Sequence, residues 1–267
     1  MREPVRILSD LHLGHRVSRV SRVAALRPLL AGAGTVVFNG DTWQELTAPF
    51  RERAAEMLEE LREMCAREGC DTVFLAGNHD PGLPGQGWLE LAGGRIVVTH
   101  GDALYFDSSP WSLAVLRGQE VVAELWAAHR AAWEDAGERL ALAREIARNL
   151  VPRDFPLGRS LWQRAWEAVN PPGRALRILD AWFGQATAGA VFCERYFPAA
   201  EVLLIGHFHW PGMWLRRGRL VINTGSWMNP CSAWGVEWQD GFLRRMKIDE
   251  RGDECRFGRI GGVWRVG

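Results

Sequence analysis

Asp10 and His12 stand two residues apart, a spacing that points both side chains the same way in extended chain and lets them grip one metal ion together. Further along come Asp41 in G-D-T-W, Asn78 and His79 in G-N-H-D, His100 in H-G-D, and His207 and His209 in G-H-F-H. An Asp/His pair also caps turns at strand ends, and one histidine is more often a satisfied core residue than a ligand. Five of the seven histidines fall in these motifs, so the bland reading would have to hold five times over. Neutral imidazole, carboxylate and one amide oxygen, without thiolate, suit borderline-to-hard divalent ions such as manganese, iron or zinc. The candidate ligands are too many for one tetrahedral ion and match two neighbouring ions. Two cations about 3.5–4 Å apart repel strongly, and a bridging aspartate plus a bridging hydroxide relieve that repulsion. Asp41 is the natural bridge. His15 and His129 stand outside the pattern and take structural or surface readings.

Each motif closes a short apolar run: VRILSD at 5–10, TVVFNGD at 35–41, DTVFLAGNHD at 71–80, RIVVTHGD at 95–102 and EVLLIGHFH at 201–209, with LVINTGSW at 220–227 a sixth. Near-continuous apolar runs of this length predict strands of a sheet covered on both faces. Between the second and third runs, Met57, Leu58, Leu61, Met64 and Cys65 recur at three-to-four spacing, which predicts an amphipathic helix ending at Gly69. The class is therefore α/β and layered. In an open sheet of this kind the ligand site lies beyond the carboxyl ends of the strands, where all of these polar groups sit.

Residues 103–200 break the rhythm. Val122, Leu125, Trp126, His129, Trp133, Ala136, Leu140 and Ala143 keep helical spacing, and Pro171 and Pro172 divide the segment into at least two helical parts. It carries Trp111, Trp126, Trp133, Trp162, Trp166 and Trp182. Singly each reads as helix packing; together they read as the lining of an apolar groove. From Gly235 onward the alternation predicts short antiparallel strands without recognisable chemistry.

A chain of 267 residues, 47% hydrophobic and 24% charged, is long enough for one core plus an insertion and excludes a disordered tail or a coiled coil. Acidic and basic residues balance at 32 each, so no global field draws the protein onto nucleic acid or an anionic membrane. Lys247 is the only lysine, which reads first as biased genome composition. Five cysteines without C-x-x-C spacing fit neither a disulfide framework nor a zinc ribbon. No signal-peptide-like region opens the chain and no run of about 18 apolar residues spans a bilayer, so the expected compartment is the cytoplasm.

The order D-x-H, G-D, G-N-H-D, H-G-D, G-H-x-H resembles the calcineurin-like metallophosphoesterase superfamily over residues 5–102 and 201–230. The resemblance implies a layered β-sandwich core flanked by helices, at 1–102 and 201–267, with a helical cap insertion at 103–200. It implies a hydrolase of phosphoester or pyrophosphate bonds using two divalent metal ions. Asp10, His12, Asp41 and His209 would hold one ion, and Asp41, Asn78, His100 and His207 the other. A metal-bridging hydroxide would attack phosphorus while His79 acts on the leaving oxygen, with Asp80 either holding His79 or capping a turn. S-D-L-H-L, H-G-D and the apolar helical insertion are similar to the UDP-2,3-diacylglucosamine pyrophosphatase branch of lipid A synthesis. That implies a lipid-linked substrate and peripheral contact with the inner membrane through the insertion. The best-known members of that branch carry arginine where this chain has His79, so the alternative is a general phosphodiesterase or nuclease on soluble nucleotides or nucleic acid. The neutral charge balance and apolar insertion speak against a nucleic-acid partner. Arg117, Arg130, Arg144, Arg153 and Arg174 either clamp a diphosphate or lie on solvated helix faces. A non-catalytic module on the same fold would have lost ligands, and none is missing.

Overall fold

The apolar runs form strands where they are expected. In the computed structural model, which describes residues 1–150 and 173–266, β1 (Val5–Leu8), β2 (Thr35–Asn39) and β3 (Asp71–Leu75) pair in parallel, Val5 opposite Thr35 and Thr35 opposite Asp71. The short α1 (Arg27–Leu30) lies in the first connection and the long α2 (Ala48–Arg67) forms the second. A second sheet contains β4 (Trp88–Leu91), β5 (Ile96–Thr99), β6 (Val202–Ile205), β7 (Gly212–Arg216) and β8 (Arg219–Asn223) in the order β4-β5-β6-β8-β7, with β5, β6 and β8 parallel. The chain then returns to the first sheet as β9 (Trp234–Gln239), β10 (Phe242–Arg251) and β11 (Glu254–Arg265), completing the order β11-β10-β9-β1-β2-β3.

β2, β5 and β6 are buried along their whole length because both faces of their sheets are covered. Ile7 and Val37 of one sheet meet Ile96, Leu204 and Ile222 of the other in the central core. On the outer face of the first sheet Met57, Leu61, Met64 and Cys65 of α2 pack on Leu8, Val36 and Phe38, the face that the helical spacing predicts.

Residues 103–150 hold α3 (Leu113–Arg117), α4 (Gln119–Ala128) and α5 (Ala136–Leu150), and α6 (Gly173–Tyr196) follows; no strand occurs among the described residues of this segment. Arg153, Trp162, Trp166, Pro171 and Pro172 lie outside the described residues. Ala186, Phe192 and Cys193 of α6 cover Val97, Leu203 and Val221 on the outer face of the second sheet, so α6 serves as that sheet's helical layer. The physical reason is topological: β5 and β6 are parallel neighbours, and a parallel pair needs a crossover, usually helical. The terminal strands are also longer than expected, β10 and β11 running for 10 and 12 residues, with register shifts around Met246 that bend the ribbon. β4 and β7, both antiparallel edge strands, had no distinct signal in the sequence.

Candidate metal centre

The five loops that follow β1, β2, β3, β5 and β6 converge at one end of the sandwich. One cluster joins Asp10, His12, Asp41 and His209, and a second joins Asp41, His100 and His207; within each, the candidate ligand atoms lie within 4.8 Å of one another. His209 Nε2 is 3.2 Å from Asp10 Oδ1 and 3.2 Å from His12 Nε2, which in turn is 3.7 Å from Asp41 Oδ2. His100 Nε2 is 3.4 Å from the other Asp41 oxygen and 3.3 Å from Asn78 Oδ1. Asp41 thus presents one carboxylate oxygen to each cluster. All of these residues are buried except His209, whose side chain is 28% exposed and marks the open side.

The backbone is bent to reach this arrangement. Asp10, His12, Asp41, His207 and His209 adopt φ of 53°, 48°, 50°, 64° and 55°, the left-handed region that side chains other than glycine rarely occupy. Each such residue costs roughly 1–3 kcal/mol and persists where its surroundings over-determine it, as at functional sites. Two glycines make the approach possible. A Cβ on Gly40, itself at φ 77°, would meet the His100 ring, and one on Gly206 would meet the Asp10 carboxylate.

The donor set fits divalent cations. Two imidazole nitrogens 3.2 Å apart both present lone pairs unless a proton or a cation lies between them. His100 Nδ1 donates to the Asn39 carbonyl at 3.1 Å, so in the neutral ring Nε2 is the bare nitrogen toward Asp41 and Asn78. His207 Nε2 donates to the Ser108 carbonyl at 3.1 Å, leaving its Nδ1 as the bare nitrogen. Burial works to raise the Asp41 pKa, but the His100, His79 and His12 rings outweigh it and hold the carboxyl well below its ordinary range. Burial works to lower the His100 pKa, yet the Asp41 carboxylate holds it well above the usual value. For His12 and His207 burial prevails, and both are held well below.

His79 is not held by Asp80. The Asp80 carboxylate accepts N–H bonds from Gly77 (2.7 Å), Asp41 (3.0 Å), Thr42 (2.6 Å) and Trp43 (3.4 Å), fixing the loops after β2 and β3. Of its two expected roles, these hydrogen bonds are those of the backbone cap. Burial and then the Asp41 charge push its pKa up to about 7 against those bonds. The partner of the His79 ring is Gln44, whose Oε1 is 3.0 Å from His79 Nδ1 and whose Nε2 is 2.8 Å from His12 Nδ1. Sequence reasoning missed Gln44; its only signal is its place three residues after Asp41. It also missed Ser108 and Ser109, beside His207. Trp111 packs on the same ring at 5.0 Å. His15 packs edge-on against Phe50 next to His12, and His129 pairs with Glu145 on the surface. Arg117 and Arg130 are exposed, while Arg144 and Arg174 bond to the backbone carbonyls of Gly85 and Trp111.

The calcineurin-like phosphoesterase family model matches residues 3–211, most of the chain. The chain belongs to the calcineurin-like phosphoesterase family. As a calcineurin-like phosphoesterase it is a metal-dependent hydrolase of phosphoester bonds, and its clustered donors suit two divalent cations. Solved structures similar to it include Vacuolar Protein Sorting 29 from Cryptosporidium parvum, at 12% identity over 98% of this chain and 97% of that one, TM-score 0.46. A dimetal phosphatase from Danio rerio is also 12% identical over 95% and 98%, TM-score 0.46. Vps29 from Entamoeba histolytica complexed with zinc is 15% identical over 98% and 97%, TM-score 0.42. Among the curated proteins none matches this calcineurin-like phosphoesterase.

Proposed function

We propose that this phosphoesterase cleaves the diphosphate of UDP-2,3-diacylglucosamine or a similar lipid-linked substrate. Asp10, His12, Asp41 and His209 would hold one divalent cation, and Asp41, Asn78, His100 and His207 the other, with manganese as the ion. Cations bound there supply Lewis acidity, acidifying water and neutralising charge on the phosphoryl oxygens. The chain's own residues do the rest. Asp41 offers one oxygen to each cluster and so fixes their separation. Asp80 holds the Asp41 and Asn78 loops together through backbone N–H groups. His79 is half-buried at the mouth, its ring 5.0 Å from that of His12, and is kept below its ordinary pKa first by burial, so it faces substrate as a neutral imidazole able to give a hydrogen bond to the leaving oxygen.

A cavity of about 370 Å³ between the loop after His100, α4, α5 and α6 is the observation that carries the lipid reading. Phe106, Trp126, Trp133, Phe192 and Tyr196 line it, and Phe106 stacks on Trp126 at 4.6 Å. Phe106 and Trp133 remain 44% and 48% exposed, an apolar surface suited to an acyl chain. Arg139, buried in its wall and bonded to the Tyr105 carbonyl at 2.6 Å, provides positive charge beside it. Leu176, Leu179 and Phe183 add an exposed apolar stripe on α6, which supports peripheral contact with a membrane. Among the described residues no helix is long and apolar enough to cross one.

A manganese-supplemented hydrolysis panel of UDP-2,3-diacylglucosamine, bis-p-nitrophenyl phosphate, a nucleotide cyclic phosphate and single-stranded DNA tests this reading. Preference for the lipid substrate supports it, and preference for a soluble diester or DNA replaces it with the general phosphodiesterase. Near-native turnover by Asp41→Ala or His207→Ala would remove the two-cation site.

A further inference from the structure

Gln44 is buried at the back of the centre and its amide spans two imidazoles. The other histidines whose ring contacts are carbonyls have no choice of tautomer: a carbonyl only accepts, so in the neutral ring His100 carries its proton on Nδ1 and His207 on Nε2. His12 and His79 differ, because an amide both donates and accepts. With the Gln44 Nε2 toward His12 and Oε1 toward His79, His12 accepts on Nδ1 and carries its proton on Nε2, while His79 carries its proton on Nδ1. That leaves the His12 nitrogen facing Asp41, Asp10 and His209 without a lone pair, and leaves the outer nitrogen of His79 with no proton to give. The two ends of an amide have the same shape, so half a turn about its last bond exchanges them and keeps both distances. Thr47, whose hydroxyl lies 3.4 Å from the Gln44 oxygen, can donate or accept and serves either arrangement.

We propose that Gln44 is a positioning residue that ties metal ligation by His12 to the proton on His79: turning its oxygen to His12 and its NH2 to His79 bares His12 Nε2 and puts the His79 proton on Nε2. The inference rests on the ligand role of His12 and the hydrogen-bonding role of His79 proposed above. No proton enters or leaves the pair. His12 exchanges an Nε2–H for an Nδ1–H, His79 does the reverse, and each ring stays neutral.

Two-bond ¹⁵N–¹H correlation spectra of histidine-labelled full-length protein, titrated with diamagnetic zinc, read the tautomers directly. The expected result for zinc-loaded protein is His12 protonated on Nδ1 and His79 on Nε2. Gln44→Glu separates the two tasks, since a carboxylate accepts from both rings. It should keep zinc affinity, place the His79 proton on Nδ1, and slow hydrolysis of diesters with alkyl leaving groups by about 10²–10⁴-fold while sparing p-nitrophenyl esters. Gln44→Leu should weaken zinc binding by about 10–100-fold in calorimetry. Zinc-loaded protein with the His79 proton on Nδ1, or Gln44→Glu matching wild type in both spectrum and leaving-group dependence, overturns the proposal. If Gln44→Leu does not fold, the wild-type titration and Gln44→Glu decide alone. Protein without hydrolytic activity on any phosphoester would sink the proposed function while leaving the tautomer spectra able to decide this inference.

Discussion

A carboxylate at the end of a strand becomes half of a metal site only if the next loop lets something approach it, and that condition falls on single atoms. Asp10 meets His209 because Gly206 has no side chain: a Cβ there would press on the Asp10 carboxylate and on Ser9. Gly206→Ala is therefore expected to push Asp10 out of line and weaken manganese binding by roughly 10–100-fold, the usual worth of a displaced supporting group. Titration calorimetry checks this against Gly173→Ala, a position with open space around it, which should bind like wild type. Equal affinity in the two variants would show that the Asp10 loop yields. The same reasoning explains why Asp80 was ambiguous in sequence. An aspartate after a histidine reads equally well as its partner or as a cap, and only the N–H groups of Gly77, Asp41 and Thr42 decide.

Helices and strands hold these atoms by burying one face each, and here local pattern was most informative. α2 follows its predicted stripe, and Leu61 at its centre is fully buried against the first sheet. Leu61→Ala should cost about 2–5 kcal/mol in urea unfolding, through lost transfer energy and the cavity left behind. Glu59→Ala on the exposed face, where Glu59 pairs with Arg62, should stay within about 0.5 kcal/mol. A Leu61→Ala loss no larger than that of Glu59→Ala would contradict the assigned face. β4 and β7 escaped the sequence because edge strands need no continuous apolar run. α6 looked like part of a cap because its stripe of alanines, Phe192 and Cys193 identifies a buried face without saying what buries it.

Taken whole, the protein carries balanced charge yet concentrates buried histidine around Asp41, so its stability should depend on pH and on cations. His12 and His207 are held well below the ordinary imidazole value, and His15 is lowered to about 4, in each case first by burial. A group whose folded pKa is depressed this way binds its proton more readily when unfolded, so its neutral form stabilises the fold above about 6.5 and that stability is lost as pH falls toward 4. His100, held above its usual value, acts in the opposite sense, its contribution present below about 6.5 and lost as pH rises, and the buried carboxyls of Asp80, Asp102 and Asp107, raised first by burial, act with it. Manganese at a hundred times its Kd should add about 2.7 kcal/mol at pH 7, read as a higher melting temperature than that of chelator-treated protein. A melting temperature unmoved by manganese would count against the cation site. What the sequence alone determined was chemistry and address: which residue types could ligate, and that each stands just past a strand, because apolar runs and their endings are local features of a chain. What only the tertiary structure decided was partnership. His12 meets His209 across 197 positions, Gln44 joins His12 to His79, and α6 covers the second sheet, since such contacts depend on how two sheets stack and loops bend, and no periodicity in the sequence encodes that distance.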